Sequence, residues 1–287
     1  VSKEKPELST LIPDILSLFD FGKEISDGDA RALGQGISDV VQARLKAYTE
    51  QQEPHIRMSN IGKPNRQLWY ELNSTRPKED IGAQAKLKFL FGDIWEAILL
   101  FLAEQAGHKV EARQDEIVLE GVLGHPDAVI DGIVVDVKSA SSYAFKKFKQ
   151  GTLKEDDPFG YYYQLAGYTE ALQPDSDAAF LAVDKQTAAM AILPVANEEL
   201  KGLRVRERIH AIRDVIRQDT PPERCYELVP DGKSGNLKLP VGCSYCPYKF
   251  ECWEDSNDGA GLRTFIYATG PTYLAHVENE PRVPEAT

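Results

Sequence analysis

Two aspartates and a lysine stand at hairpin spacing near the middle of this 287-residue chain. They are Asp127, Asp136 and Lys138, and the aspartates enclose Ala128-Val129-Ile130-Asp131-Gly132-Ile133-Val134-Val135. An Asp-Gly pair flanked by β-branched residues is the strongest short-range signal for a two-residue hairpin. With Asp131 and Gly132 at the centre of a type I′ turn, Ile130 faces Ile133 and, counting outward, Asp127 faces Asp136. Directly opposed residues place their Cβ atoms about 4.5–5.5 Å apart on one face. Lys138, two residues on, points to that same face. Two carboxylates and an amine therefore converge at the open end of the hairpin.

Like charges opposed across a ladder repel, which a solvated hairpin end would tolerate. Residues 128–137 are otherwise nearly all apolar and read as interior sheet. A divalent cation between the aspartates would relieve the repulsion, and magnesium favours one or two carboxylates with waters and phosphate oxygens. A lysine beside it can orient or activate an attacking water, or stabilise charge on a phosphorane-like transition state. That is the chemistry of phosphodiester hydrolysis; the plainer alternative is a structural ion cluster. A third carboxylate lies in residues 85–107, the longest apolar helix expected. There Glu96 is the only charge between Asp93 and Glu104. A helix apolar all round is expected to be buried, and a lone buried carboxylate is costly unless paired or metal-bound. Glu96 is expected to be a third metal ligand, with a protonated or arginine-paired structural glutamate as the alternative.

Pro126-Asp127-x8-Asp136-Val137-Lys138 resembles the PD-(D/E)xK nuclease motif. The wider pattern, from about Ser59 to Cys252, resembles the RecB-type branch, which includes phage recombination exonucleases and CRISPR-adaptation nucleases. In that branch the position of Glu96, in the frame Gly92-x3-Glu96, carries a histidine or glutamate ligand. The resemblance implies that Glu96, Asp127 and Asp136 hold magnesium or manganese, that the main-chain carbonyl of Val137 is a further ligand, and that Lys138 serves catalysis. Gln164 and Tyr168, four apart on one helix face, resemble the QxxxY element that helps place the DNA or the catalytic groups; an aromatic packing face fits them too. Arg57 to Tyr70 is similar to the branch's lead-in segment, where a serine precedes a cysteine, a basic residue and an aromatic pair. Here Lys63-Pro64 stands where that cysteine would be. A loop that packs Trp69 and Tyr70 into the core is the other reading.

The chain has four cysteines, Cys225, Cys243, Cys246 and Cys252, spaced C-x17-C-x2-C-x5-C. In a reducing compartment this packing points to a metal site, not disulfides. Four thiolates suit zinc or iron–sulfur. The C-x2-C-x5-C part resembles the iron–sulfur clasp of CRISPR-adaptation and AddB-type nucleases, in which a cysteine of the lead-in segment joins three C-terminal ones. The resemblance implies a 4Fe-4S cluster, with Cys225 replacing the absent cysteine and zinc as the alternative metal.

The elements that must position these groups follow from periodicity. Helices are expected over 9–20, 29–52 and 85–107, then strands near 108–113, 116–120, 121–130 and 133–139. A helix begins within 139–149 and another covers 158–172. A strand pair spans 178–184 and 188–194, a helix 197–218 and a strand 263–268; residues 278–287 are expected to fray. The fold class is α/β: a restriction-endonuclease-like mixed central sheet flanked by helices, with a cysteine-clasped C-terminal segment. The expected parts are 1–80, a helical lead-in; 81–220, the nuclease core; and 221–287, the metal-binding segment.

Hydrophobic residues make up 42% of the chain, enough for one large domain or a domain with an appendage. No apolar run reaches transmembrane length and no signal peptide is read, so a soluble, cytoplasmic protein without a membrane partner is expected, in the host cytoplasm if phage-encoded. A net charge of −12 argues against a general electrostatic grip on nucleic acid. Binding DNA then needs local basic patches: Arg57-Lys63-Arg66, Lys86-Lys88 or Lys146-Lys147-Lys149. The expected function is a divalent-metal-dependent DNA exonuclease in recombination, repair or phage DNA metabolism, with a recombination or single-strand-binding protein as partner. The alternatives are an endonuclease of the same superfamily and a nucleic-acid-binding module that does not cut.

Overall fold

Apolar residues at helical spacing place four helices ahead of the first strand: α1 (Leu11–Asp20), α2 (Asp27–Ala47), α3 (Asn65–Asn73) and α4 (Gly82–Gln105). The structure is a computed structural model that describes residues 6–50, 53–77, 79 and 82–286. Gln52, where α2 was expected to end, lies outside the described residues, as do Asp80 and Ile81 at the expected first boundary and Thr287 at the tail. Ser26 caps α2 by accepting the Asp29 N–H at 3.1 Å, which sets its start two residues earlier than expected. The chain divides into two units: residues 1–62 with 82–210, and residues 63–81 with 211–287.

In the first unit the strands are β1 (Val110–Glu111), β2 (Ile117–Leu119), β3 (Val122–Gly124), β4 (Ala128–Ile130), β5 (Ile133–Ala140), β6 (Ala178–Asp184) and β7 (Met190–Val195). Helices α5 (Ser142–Gln150) and α6 (Tyr161–Leu172) lie between β5 and β6, and α7 (Asn197–Gly202) and α8 (Val205–Ile216) follow β7. The five-stranded sheet has the order β1-β4-β5-β6-β7, with β5 and β6 parallel and the other pairs antiparallel; β2 and β3 form a separate hairpin. The fold is therefore mixed α/β with a central mixed sheet flanked by helices, consistent with a restriction-endonuclease-like fold. All of β6 is buried, as a central strand covered on both faces must be. Leu11 and Ile15 of α1 and Leu99 and Leu100 of α4 pack on Val135, Val137, Leu181 and Val183. On the other face Phe148 of α5 and Tyr162 of α6 sit edge-on to Phe180, at ring separations of 5.8 and 5.5 Å. Neighbours on a strand point to opposite faces, so Phe180 and Leu181 meet different layers.

Four expectations need correction. Helix α4 is not buried all round: Leu87, Phe89 and Phe91 are about half exposed, and full burial starts only at Leu99. Its N-terminal half is flanked by α2, through a bidentate Arg44–Asp93 pair and Tyr48 Oη donating to the Lys86 carbonyl, and keeps an open side. The expected strand 121–130 is broken between β3 and β4, where Pro126 has no N–H for a ladder. The expected helix 197–218 is two helices, separated at Arg204 with φ +52° after Gly202, a poor helix former. The helix expected from Pro158 begins only at Tyr161, because Gly160 takes φ +74°. A Cβ on Gly160 would strike the backbone of Gly62, so glycine there also permits a close backbone crossing.

The second unit holds α3, then β8 (Val229–Pro230), β9 (Leu237–Lys238), the short helices α9 (Val241–Ser244) and α10 (Lys249–Cys252), β10 (Arg263–Tyr267) and β11 (Gly270–His276). Its sheet runs β10-β11-β9-β8, antiparallel throughout. Leu239, Trp253 and Ala275 form its small core. The tail does not fray over its described residues. Ile266 donates to the Pro284 carbonyl at 2.9 Å and Ala286 to the Thr264 carbonyl at 2.8 Å, while Arg263 pairs with Glu280 and Glu285. The edge of β10 supplied unpaired backbone groups that the tail satisfies. Among the described residues no helix is long and apolar enough to cross a membrane.

Candidate active site

Asp131 (φ +51°) and Gly132 (φ +86°) both take the left-handed conformation that a type I′ turn requires. The ladder has the expected register, Ile130 with Ile133, Val129 with Val134 and Ala128 with Val135, and there β4 stops. Beyond that point β5 continues with its β4-side edge unpaired by strand. Asp127 enters that gap, and its Oδ2 accepts the Val137 N–H at 2.6 Å. The N–H and C=O of one strand residue point to the same edge, so the Val137 carbonyl is aimed toward the same gap.

Asp136 has no solvent exposure, and Asp127 keeps 8%. Lys138 Nζ lies 2.7 Å from Asp136 Oδ2. That ion pair occupies Asp136 Oδ2, while the buried Oδ1 has no partner. Lys138 also donates to Gln164 Oε1 at 3.2 Å and stands 4.5 Å from the centre of the Tyr161 ring. Gln164 Nε2 in turn donates to Tyr168 Oη at 3.1 Å. The two residues read from the QxxxY spacing thus meet Lys138 in one chain of contacts. Glu96 arrives from α4. Gly92, one turn earlier, lets that helix lie close to β5: a Cβ there would be 3.2 Å from Ser139 Oγ.

Among the described residues Glu96 meets no arginine; its partner is Gln114. The Gln114 amide donates to Glu96 Oε1 at 2.7 Å and to Asp127 Oδ1 at 3.3 Å. Sequence reading missed Gln114, which sits in an irregular loop with φ +53° and carries no motif. It also missed Asp157. The Asp157 Oδ2 accepts the Tyr162 N–H at 3.0 Å, its Oδ1 is buried without a partner, and its charge raises the Asp136 pKa.

Burial holds all three carboxyls above their ordinary pKa values, Asp127 most of all. For Asp127 the charges of Asp136 and Glu96 add to the rise. For Glu96 the Gln114 hydrogen bond opposes it, and for Asp136 the Lys138 charge does. Burial works against the charge on Lys138, but Asp136 and Asp127 outweigh it and lift the pKa above the usual lysine value.

Among the described residues no three His, Cys, Asp or Glu side chains already stand in metal-ligating geometry. The fit to a divalent cation is one of chemistry: three carboxylates whose pKa values burial raises, and a fully buried aspartate with an unpartnered Oδ1. Hard oxygen donors of this kind suit magnesium or manganese.

In the second unit Cys225, Cys243, Cys246 and Cys252 line one pocket, with Arg66, Tyr70 and Trp253 in its wall. Arg66, from α3, donates through Nε to Cys252 Sγ at 3.0 Å. Tyr70 is buried and its ring stacks on Tyr248 at 6.0 Å, while Trp69 Nε1 donates to the Gln218 carbonyl at 2.8 Å. Trp69 and Tyr70 of the lead-in segment lie on α3 and not in a loop, and that helix packs beside the cysteines. Burial raises the thiol pKa values of Cys243 to about 12 and Cys246 to about 11, with the other thiols adding to the rise. Four sulfurs around one pocket are a donor set that zinc or an iron–sulfur cluster accepts, and either would reverse those shifts by favouring thiolate.

The basic patches are partly spent on local pairs. Lys63 pairs with Glu71 at 2.8 Å and Arg66 is turned to the cysteines. Lys86 lies over the Tyr48 ring at 5.4 Å. Lys147 pairs with Asp156, whereas Lys146 and Lys149 on α5 are exposed.

No known protein-family profile and no curated protein matches the chain. Among solved structures it is similar to the crystal structure of SSO0001, with 16% identity, 74% of this chain and 93% of that one covered, and a TM-score of 0.41. It is also similar to a phage-related exonuclease from Haemophilus somnus 129PT, with 13% identity, 57% and 94% coverage, and a TM-score of 0.37. Likenesses this distant leave the chemistry to be argued from the chain's own residues.

Proposed function

We propose that this chain is a divalent-metal-dependent DNA nuclease, acting as an exonuclease in recombination, repair or phage DNA metabolism. One observation carries the reading: Gln114 bridges Glu96 and Asp127, Asp127 accepts the Val137 N–H at the free edge of β5, and the wholly buried Asp136 pairs with Lys138. A structural ion cluster would be expected to satisfy its buried oxygens internally, and Asp136 Oδ1 has no partner. Magnesium or manganese, when bound, would polarise a phosphate oxygen and make a water more acidic. Glu96, Asp127, Asp136 and the Val137 carbonyl would hold it. Lys138, paired with Asp136, would orient the attacking water and stabilise negative charge building on the phosphorus centre. Gln164, itself held by Tyr168, would fix the Lys138 head group. The deciding assay uses end-labelled linear DNA and covalently closed circles, with and without magnesium. Digestion of linear DNA alone supports an exonuclease. Cut circles would change the assignment to an endonuclease, and folded protein that digests neither would leave a binding module.

DNA contact is assigned to Lys146 and Lys149, which are exposed on α5, the helix that follows β5, and not to Lys147, which is already paired. Reversing both charges (Lys146→Glu with Lys149→Glu) should weaken DNA binding and reduce the log–log salt slope by about 0.7–0.9 per lost phosphate contact. Lys147→Glu should weaken it less. Equal effects in a salt titration would show the patch to be merely solvated.

For the cysteine pocket we propose a 4Fe-4S cluster, with zinc as the alternative, clamping the C-terminal segment. Anaerobically purified protein should be brown, and Cys225→Ser should bleach it and speed proteolysis of residues 221–286. Colourless protein with stoichiometric zinc would change the metal and keep the clasp. Full metal content in Cys225→Ser would refute the four-cysteine site.

A further inference from the structure

We infer that Gln114 is a positioning residue that holds Glu96 and Asp127 together for the cation, an inference that rests on the nuclease reading above. A carboxylate only accepts hydrogen bonds, and both partners of the Gln114 amide are carboxylates. The amide nitrogen must therefore face them, and its two hydrogens serve one oxygen of each. A neutral donor shared between two anions eases their repulsion without using up negative charge. It also leaves the second oxygen of Glu96 for a cation. Asp127 Oδ2, held by the Val137 N–H, keeps a lone pair as well.

The backbone supports the same purpose. Gln114 donates its own N–H to the Pro126 carbonyl at 2.9 Å, next to Asp127. Its main chain is thereby tied to the strand end that carries one carboxylate, and its side chain spans to the helix that carries the other. The residue adopts φ +53°, where asparagine is tolerated better than glutamine. The backbone alone would favour Asn. Only the longer side chain reaches Glu96: one methylene less, about 1.5 Å, takes contacts of 2.7 and 3.3 Å past hydrogen-bond range. Partners one step removed from a metal typically alter its affinity by about 10–100-fold, and the exposure of Gln114 to solvent puts the expected effect near the lower figure.

The test is calorimetric titration of the full chain with Mn²⁺, without DNA, for wild type, Gln114→Asn and Gln114→Ala, each checked by a metal-free melt. The Asn variant relaxes the backbone and the Ala variant does not, so a shared loss belongs to the amide. Both should bind Mn²⁺ about tenfold more weakly, and the cutting rate of each should recover as Mn²⁺ is raised. Wild-type affinity in a folded Asn variant, or tighter binding, would overturn the positioning role alone. Wild-type protein that takes up no Mn²⁺ would overturn it together with the nuclease reading.

Discussion

Asp136→Asn is expected to abolish magnesium-dependent hydrolysis, by about a thousandfold or more, while the metal-free protein melts no lower than wild type. A thousandfold corresponds to about 4 kcal/mol of lost transition-state stabilisation, within the several kcal/mol that a bound metal can supply. The stability half follows from charge. Three carboxylates face one lysine, and Asp136 is fully buried with its Oδ1 unpartnered. Asn removes one buried negative charge, keeps the shape, and leaves Lys138 facing Asp127. The pH dependence has a definite sign. Burial raises the Asp136 pKa in the folded state, so between the ordinary aspartate value near 3.9 and that raised value the folded state binds more protons than the unfolded. Stability of the metal-free wild type should therefore fall as pH rises through this window, and more gently in Asp136→Asn. Melting curves from acid to neutral pH, with cutting assays at limiting magnesium, check both halves. Near-wild-type cutting by the folded variant would sink the assignment.

Residues that act through local spacing were readable from the chain. The Asp-Gly turn fixed the register of β4 and β5, because two left-handed residues permit only one close pairing. Gln164 and Tyr168 were readable because four residues make one helical turn. What escaped was set by tertiary placement. Gln114 lies in a loop whose backbone is tied to Pro126, and nothing in its neighbours' types announces an amide between Glu96 and Asp127. The half-exposed face of α4 escaped for a related reason: composition reports that Leu87, Phe89 and Phe91 are apolar, not whether a second layer covers them. The break in the strand after Gly124 was visible in Pro126 and was passed over in favour of the apolar run around it.

Lys138→Ala should leave metal and DNA binding largely in place and slow turnover by roughly 10²–10³-fold, the usual scale for one preorganised electrostatic group. Its effect on stability should be opposite in sign to that of Asp136→Asn. Removing the lysine strands Asp136 as a buried carboxylate without its cation, and breaking a buried pair from one side is destabilising by about 3–5 kcal/mol when nothing replaces the lost charge. The metal-free variant should accordingly melt lower than wild type, and magnesium should restore most of the difference by supplying positive charge at the same carboxylate. Asp136→Asn should show no such recovery. The role assigned to the lysine is electrostatic: its head group, paired with Asp136 and bonded to Gln164, donates and orients beside the metal. Single-turnover cutting at saturating magnesium, with DNA binding measured in calcium, separates these effects. A variant that binds both ligands and cuts at the normal rate would reduce Lys138 to a salt-bridge partner of Asp136.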